Sequence, residues 1–230
     1  MKIGGFQKTS LLDYPDCISA IIWTQGCNFR CPFCYNKNLV LGNGEGFPEE
    51  EILSFLSKRK GMLEAVVISG GEPLLHDDIT SFIEKIKNLG YLVKVDTNGS
   101  FPEKLRELLE KKLVDYVAMD VKAPKSKYQT LAGVEVDLSK IEESIGLIKR
   151  KAPAYEFKTT FVPGLLKKED IVEIAQWLDG AEKYFLQQFK TIPPLVSSKL
   201  ENTVPYPKSY LLETVAEIKP FFKKCAMRGL

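Results

Sequence analysis

Histidine is almost absent from this sequence. The 230 residues include only His76, which argues against acid–base catalysis by histidine and against a histidine-rich zinc site. An excess of charge of one sign is also absent, because 32 basic residues stand against 30 acidic ones and the formal net charge is +2. This balance indicates neither a nucleic-acid partner nor an anionic membrane surface.

Long apolar runs are missing as well. No stretch is long enough to span a bilayer, and the N-terminal "MKIGGFQKTSLLDYPD" lacks the apolar segment of a signal peptide. The five cysteines are odd in number and clustered, which does not fit a secreted disulfide framework. We therefore expect a cytoplasmic protein in a reducing compartment, without a membrane partner.

The chain alternates short apolar segments with segments of helical spacing. The strand candidates are residues 17–24, 65–69, 91–97, 114–122, 154–162 and 183–189. Six β/α units in a row predict an α/β fold with a parallel sheet, either an open partial barrel or a doubly wound sheet. We expect a single domain over residues 1–230, with a core at about 15–190. A helix at about 208–222 and a tail would complete the C-terminal part, residues 191–230.

Polar motifs follow the predicted strands at the point where each strand ends. They are "SGGEP" at 69–73, "DTNG" at 96–99, "MDVK" at 119–122, "KTTFVPG" at 158–164 and "QQF" at 187–189. In such folds the carboxyl ends of the strands share one rim, where the chemistry gathers. We therefore expect these motifs to form one site with the cysteine-rich loop that follows the first predicted strand.

Three of the five cysteines lie in "GCNFRCPFCYN", residues 26–36. Cys27, Cys31 and Cys34 have the spacing C-x3-C-x2-C, and three thiolates on a short loop suit an iron–sulfur cluster. A zinc site would need a fourth ligand, and neither Cys17 nor Cys225 has a partner at ligand spacing. The pattern favours a cluster over zinc and leaves the fourth ligand open.

This cysteine motif, followed by "GGEP" one β/α unit later, resembles that of the radical S-adenosylmethionine (radical SAM) enzymes. The resemblance implies a [4Fe-4S] cluster held by the three cysteines, with S-adenosylmethionine bound to the fourth iron. Reductive cleavage of that cofactor gives a 5′-deoxyadenosyl radical, which abstracts hydrogen from a substrate. Gly70 and Gly71 would let the methionine part approach, and Glu72 would pair with its ammonium group.

A narrower resemblance covers nearly the whole chain. The segments "GFQKTSLLDYP", "CNFRCPFCYN", "SGGEPLL", "DTNG", "MDVKAP" and "QQF" are similar to those of glycyl-radical-enzyme activating enzymes, in particular the activating proteins of anaerobic ribonucleoside-triphosphate reductase. That resemblance implies a (β/α)6 partial TIM barrel of the radical SAM type, whose substrate is a backbone glycine of a large partner protein. It also implies a flavodoxin- or ferredoxin-like electron donor.

The same resemblance implies contacts between individual residues and the cofactor. Lys158 would contact the cofactor carboxylate, with Lys122 as a second candidate for that role. Phe33 and Tyr35 would lie near the adenine. One of the two glutamines in "QQF" would contact the ribose, and we expect Gln188, since alternation along a strand lets only one of them point inward.

A monovalent cation beside the cofactor is also implied. Asp96, Thr97 and Asp120 would supply its ligands, because a hard cation prefers oxygen. The alternative to the cation is that Asp96 and Asn98 merely make a turn. Asp96 and Asn98 would in addition line the cofactor site.

Two further hypotheses stay open on the sequence. One is a radical enzyme of the same fold that acts on another glycyl-radical enzyme or on a small molecule such as a deazapurine precursor. The other is an iron–sulfur electron carrier or zinc-binding module without catalysis. Cleavage of S-adenosylmethionine separates the carrier from both enzymes, and the partner separates the two enzymes from each other.

Overall fold

Eight strands form one sheet in the computed structural model, which describes residues 1–229. The strands β1 to β8 are Ile3–Ser10, Ser19–Thr24, Ala65–Gly70, Leu92–Thr97, Tyr116–Asp120, Tyr155–Phe161, Ala181–Gln188 and Phe222–Arg228. The helices α1 to α8 are Lys37–Leu41, Glu49–Lys58, Ile79–Asn88, Pro102–Glu110, Tyr128–Ala132, Leu138–Lys151, Lys168–Trp177 and Lys208–Ile218. Short 3₁₀ turns lie at Pro73–Leu75, Lys125–Lys127, Ser198–Leu200 and Lys219–Phe221.

The strands are ordered in the sheet as they are in the chain. β1 pairs antiparallel with β2, and every later neighbour pair is parallel. Each strand from β2 to β7 is followed by at least one helix before the next strand, so six β/α units are present. The predicted (β/α)6 architecture is confirmed. β1 and β8 are the two edges of the sheet within residues 1–229, which leaves the barrel open on one side.

The helices cover the outer face of the sheet with apolar side chains at helical spacing. In α3, the buried residues are Ile79, Phe82, Ile83 and Ile86, the pattern that the sequence predicts. Gly90 follows this helix at φ +91°, and its amide donates to a carbonyl of the last turn, Lys87 O, at 2.8 Å. A residue with a side chain rarely adopts this φ, so glycine ends the helix here.

The inner face of the sheet has a much smaller apolar cluster. It consists of Tyr14, from the loop after β1, with Ile21, Ala65, Val67 and Tyr116. The remaining inward positions are largely polar or charged. The interior of the partial barrel therefore combines this small apolar cluster with a largely polar and charged lining.

Two strands were not predicted. β1 is an edge strand with two glycines, and its sequence "IGGFQKTS" has no apolar run. The predicted helix at 208–222 ends at Ile218, and the expected tail is instead strand β8. The sequence "FKKCAMR" of β8 has little strand propensity of its own, but β7 offers it a parallel partner, and such pairing overrides local preference.

The search for membrane-spanning segments gives a negative result for the described part of the chain. None of the helices within residues 1–229 combines the length and the apolar character that crossing a bilayer requires.

Candidate active site

The cysteine loop leaves the carboxyl end of β2 and is held from outside by other parts of the chain. Three backbone hydrogen bonds do this: Arg30 N to Ala132 O at 2.7 Å, Val196 N to Cys34 O at 3.0 Å, and Ser197 N to Pro32 O at 3.0 Å. The first comes from the end of α5 and the other two from the long loop after β7. The loop is therefore tied to α5 and to the loop after β7 by backbone hydrogen bonds.

The three thiols of this loop are shielded from water. Cys31 is buried, and Cys27 and Cys34 are half-buried. Burial raises the pKa of Cys27 to about 12 and that of Cys31 to about 11, and it raises the pKa of Cys34 as well. The Lys122 ammonium opposes the rise at all three thiols, but only partly. Bound metal would therefore have to supply the positive charge that keeps them ionised.

The donor set fits a cluster better than a single ion. Among residues 1–229, no three His, Cys, Asp or Glu side chains are close enough to hold one metal ion together. Cys27, Cys31 and Cys34 nevertheless share one loop at one rim. An iron–sulfur cluster places each thiolate on a different iron, so it tolerates wider separation than a mononuclear zinc site does.

Gly70 and Gly71 pack backbone to backbone against the start of the cysteine loop. Gly70 has φ +124°, and a Cβ there would lie 2.3 Å from Thr24 N. A Cβ on Gly71 would lie 1.9 Å from Gly26 O. The amide of Gly71 donates to Thr24 O at 2.9 Å. Both glycines are thus required by packing, a reason that the sequence argument did not include, and their contact with a cofactor stays a prediction.

Glu72 joins the ends of β3 and β4 from a fully buried position. Its carboxylate accepts hydrogen bonds from Leu74 N at 3.1 Å, Thr97 Oγ1 at 2.8 Å and Asn98 N at 2.7 Å. Burial raises its pKa to about 7 despite these donors. A carboxylate has about four acceptor positions, so three protein donors leave about one for the ammonium group that the sequence assigned to it.

Asn98 extends this network to the cysteine loop. Its Nδ2 donates to Asn28 Oδ1 at 2.9 Å and lies 4.0 Å from Cys27 Sγ. Its Oδ1 accepts from the amide of Ser100 at 2.9 Å. The side chain therefore ties the end of β4 to the first cysteine of the loop and also makes the turn that the alternative interpretation expected.

A row of charged side chains lies on the inner face of β4, β5 and β6. Lys158 Nζ is 3.4 Å from Asp96 Oδ2 and 3.8 Å from Asp120 Oδ2. Lys94 Nζ lies 3.2 Å from Asp96 Oδ1. Burial alone would raise the pKa of Asp96, but Lys158 and Lys94 outweigh it and lower that pKa to about 2. In return, Asp120 and Asp96 raise the pKa of Lys158 against the effect of burial.

The proposed cation ligands are only partly brought together. The carboxylates of Asp96 and Asp120 both face the Lys158 ammonium, whereas the Thr97 hydroxyl donates to Glu72. A monovalent cation at this place would compete with Lys158 for the same two carboxylates. Its presence stays a prediction.

The two aromatic candidates differ in their surroundings. Phe33 is buried in the main core, whereas the side chain of Tyr35 is 47% exposed. Partial burial raises the pKa of the Tyr35 phenol, and Lys158 and Asp120 are among the charges that act on it. Tyr35 therefore stands at the mouth of the barrel beside the charged row, and Phe33 supports the cysteine loop from beneath.

The prediction that Gln188 points inward is wrong. Tyr184 and Leu186, on the same side of β7, belong to the core under the helices, and Gln188 Nε2 donates to Tyr206 O at 2.7 Å. Gln187 shares the opposite side with Phe185, which faces the interior. The alternation argument was sound, but the sequence does not show on which of two adjacent residues the outer face falls.

Three interior residues were not identified from the sequence: Lys94, Glu156 and Arg228. Lys94 is 4% exposed and donates to Asp13 O at 2.7 Å, while Glu156 is 1% exposed and is paired with Arg228. A usable signal exists for the first two, since each is one of two charges at alternate positions of an otherwise mostly apolar strand, Lys94 and Asp96 in "YLVKVDT" and Glu156 and Lys158 in "AYEFKTTF". In a sheet whose outer face is covered by helices, such positions face the barrel interior.

Comparison with known proteins agrees with this arrangement. A family model described as the radical SAM superfamily matches residues 21–178. The chain belongs to the radical SAM superfamily. Enzymes of this superfamily use a [4Fe-4S] cluster and S-adenosylmethionine.

Among relatives of this radical SAM enzyme, a Methanocaldococcus jannaschii protein is 37% identical over 221 residues, which cover 94% of this chain and 90% of that protein. That protein carries the provisional name of a glycyl-radical enzyme activating enzyme.

Two solved structures share the fold at low sequence identity. Streptococcus suis SuiB bound to S-adenosylmethionine superposes with a TM-score of 0.69 at 17% identity, over 91% of this chain and 50% of SuiB. A domain of pyruvate-formate lyase-activating enzyme from Bacteroides vulgatus gives 0.57 at 18% identity, over 72% of this chain and 99% of the domain. This chain therefore spans about half the length of SuiB.

Proposed function

We propose that this protein is an activating enzyme that generates a glycyl radical on a partner protein, with anaerobic ribonucleoside-triphosphate reductase as the first candidate partner. One observation carries the proposal: the 37% identity to a protein named as an activating enzyme extends over 94% of this chain. Similarity of that extent includes the fold, the cysteine loop and the strand ends. The reductase as partner rests on the motif resemblance alone.

The site has the parts that such a reaction needs. Bound [4Fe-4S] and S-adenosylmethionine would supply the radical chemistry by reductive cleavage of the cofactor. We assign Cys27, Cys31 and Cys34 as the cluster ligands. The protein itself contributes a loop held by backbone hydrogen bonds, a shielded rim and a row of paired charges.

Individual residues take the following roles in the proposal. Lys158 contacts the cofactor carboxylate, because its ammonium lies in the interior between the carboxylates of Asp96 and Asp120. Tyr35 lies near the adenine, since it stands at the mouth of the barrel. Gln187 replaces Gln188 as the candidate for the ribose contact. Gly71 supplies backbone atoms next to the cysteine loop.

The open side of the barrel supports a protein substrate. The sheet ends at β1 on one side and at β8 on the other, so its interior can be reached laterally as well as from the rim. A glycine within a polypeptide can approach only through such an opening, because its flanking chain has to leave the site again. A flavodoxin- or ferredoxin-like protein would supply the electron.

The test is anaerobic and uses the reconstituted protein. After reduction, S-adenosylmethionine is added and 5′-deoxyadenosine is measured, with Cys31→Ala and the conservative core variant Ile86→Val as matched variants. We expect cleavage in the wild type and in Ile86→Val, and none in Cys31→Ala. Addition of the candidate reductase should then give a glycyl doublet in electron paramagnetic resonance.

Each other outcome has a defined meaning. Cleavage without a doublet on the reductase would reject that partner and favour another protein or a small-molecule substrate. If protein that contains all four irons does not cleave S-adenosylmethionine, the enzyme proposal is contradicted and the electron-carrier hypothesis is favoured.

A further inference from the structure

A cavity of about 250 Å³ lies on the inner face of β5 to β8, beside the loop that follows β1. Its walls carry three basic residues, Lys183, Lys224 and Arg228, and two acidic residues, Asp16 and Glu156, together with Tyr116 and Phe185. Within residues 1–229, Asp16 forms no ion pair with Lys183 or Lys224. Glu156 precedes Lys158 by two residues on the same strand face, so the cavity begins roughly 7 Å below the charged row of the cofactor site. The cavity and the charged row therefore lie on the same face of β6.

One of the three basic residues of this cavity is neutralised. Arg228 donates to both oxygens of Glu156, at 2.6 and 3.1 Å, and Tyr116 Oη donates to the same carboxylate at 3.0 Å. Glu156 is 1% exposed, and its pKa is lowered because Arg228 overcomes the effect of burial. This group is therefore a closed structural pair with no capacity left for an added anion.

Lys183 and Lys224 are different, because they oppose each other without a counterion. They are direct register partners on β7 and β8, and both line the cavity. Neither forms an ion pair within the part of the chain that the structure describes; each ammonium lies only over a ring, Lys183 over Tyr116 at 5.1 Å and Lys224 over Phe185 at 6.0 Å. Like charges opposed across neighbouring strands destabilise a sheet.

The preceding residues of the same two strands show the ordinary arrangement. Glu182 and Lys223 form an ion pair of 2.9 Å. The chain therefore places opposite charges together on one side of β7 and β8 and like charges together on the side that faces the cavity. Two ammonium groups at one wall, next to aromatic faces, are suited to receive an anion.

The neighbouring surface indicates what carries that anion. Leu12, on the same cavity, is 92% exposed, and Leu11 beside it is 72% exposed. An apolar pair next to two ammonium groups matches a polypeptide in which an acidic side chain lies close to an apolar one. A free phosphate or nucleotide would leave the leucines uncovered.

We propose that Lys183 and Lys224 bind a carboxylate side chain of the protein substrate, on the segment that leads to the reacting glycine, while Leu11 and Leu12 bind an apolar side chain beside it. This inference rests on the proposed function and names the chemistry of the substrate segment. Lys183 and Lys224 act in binding and are not catalytic residues.

The test uses the anaerobically reconstituted holoprotein and labelled peptides with a central glycine, flanked by leucine and glutamate or by leucine and glutamine. The double variant Lys183→Gln/Lys224→Gln is compared with Lys58→Gln/Lys140→Gln, which removes the same charge from exposed helical positions. By fluorescence anisotropy, the glutamate peptide should bind the first variant about tenfold more weakly than it binds the wild type or the second variant. The glutamine peptide should bind all three proteins alike.

Several results would overturn the proposal. One is an equal loss of affinity for the glutamate peptide in the two double variants, and another is equal affinity of the wild type for the two peptides. A third is that the glutamate peptide does not bind the wild type. The fourth is that inorganic phosphate displaces that peptide more effectively than acetate does. Thermal unfolding gives a second readout. Removal of the opposed ammonium groups should raise the Tm above that of Lys58→Gln/Lys140→Gln, and a lower Tm would show that the lysines stabilise the fold instead.

Peptide binding does not depend on radical formation, so the two proposals fail separately. Lysine-dependent binding of the glutamate peptide without any 5′-deoxyadenosine would reject the activating enzyme and retain the carboxylate site. A glycyl doublet on the reductase, together with peptide affinity that does not change when Lys183 and Lys224 are replaced, would support the activating enzyme and reject the carboxylate site.

Discussion

The backbone amide of Asn98 donates a 2.7 Å hydrogen bond to Glu72 Oε2. This bond joins the turn after β3 to the turn after β4, and the Asn98 side chain then reaches to within 4.0 Å of Cys27 Sγ. The carboxylate of "GGEP" is thereby part of the support for the cysteine loop. A variant at Glu72 should consequently change the stability of the apoprotein, before any cofactor is present.

Glu72→Gln should alter how stability depends on pH. The folded-state pKa of Glu72 is raised to about 7 from 4.5, so the native protein holds a proton that the unfolded chain releases between those values. The raised pKa therefore contributes about 3 kcal/mol to the free energy of unfolding below pH 4.5, and this contribution is lost as the pH rises through 7. Urea unfolding of the reduced apoprotein measures this. From pH 4.5 to 7, the free energy of unfolding of the wild type should fall relative to that of Glu72→Gln. If the two proteins show the same dependence on pH, the prediction is contradicted.

Gly71→Ala should disrupt the cysteine loop. The added Cβ would lie 1.9 Å from Gly26 O, and backbone on both sides cannot move without displacing Cys27. We expect a loss of about 3 kcal/mol in the free energy of unfolding and little iron after reconstitution. Gly46→Ala is the matched control, because its Cβ would lie 3.5 Å from Ile3 O, an ordinary contact. Full iron content in Gly71→Ala would refute the packing argument.

Lys158→Met should leave two carboxylates, Asp96 and Asp120, without their shared cation. We expect a loss of about 2 kcal/mol, less than for an isolated buried pair, because Asp96 keeps Lys94 at 3.2 Å and Asp120 keeps Lys122 at 3.5 Å. In a double-mutant cycle with Asp96→Asn, the second substitution should recover much of that loss. The exposed pair of Lys85 and Glu49, at 2.6 Å, is the control and should show far weaker coupling in the same unfolding assay. Additive effects for Lys158 and Asp96 would argue against the ionic row.

Arg228→Gln should test whether β8 is part of the fold. It would leave the carboxylate of Glu156, which is 1% exposed, with only the Tyr116 hydroxyl as a donor. We expect a loss of about 3 kcal/mol and substantial rescue by Glu156→Gln in the double variant. Lys223→Gln, which breaks an exposed pair on the same strand, should hardly change the Tm. If Arg228→Gln behaved like Lys223→Gln, residues 222–228 would not be held as a strand.

The sequence predicted the site at the level of motifs and missed it at the level of side-chain direction. "SGGEP" and "DTNG" could be placed at one rim because parallel strands connected by helices all end at the same edge of the sheet. The orientation of Gln188 could not be obtained in this way, because a shift of one residue exchanges the two faces of a strand. The packing role of Gly71 needed the position of Gly26, which lies 45 residues earlier in the chain.

The limits of the fold prediction have the same origin. β2 to β7 each contain apolar residues that pack in the core under the helices, and that composition is visible locally. β8 is a strand because β7 is already there to pair with it, and Lys224 and Arg228 face the interior only as a result of that pairing. Information of this kind is carried by contacts distant in sequence, which propensity and periodicity do not contain.

The attachment of the cysteine loop to Val196 and Ser197 has a consequence for biosynthesis. Residues 26–36 leave the ribosome early, but two of the backbone bonds that hold them come from amides about 160 residues later in the chain. A nascent chain therefore presents its three cysteines on a loop without its outer support. Iron and sulfide that are delivered to the finished polypeptide reach a cysteine loop that is held in place, whereas delivery during translation would reach a flexible loop.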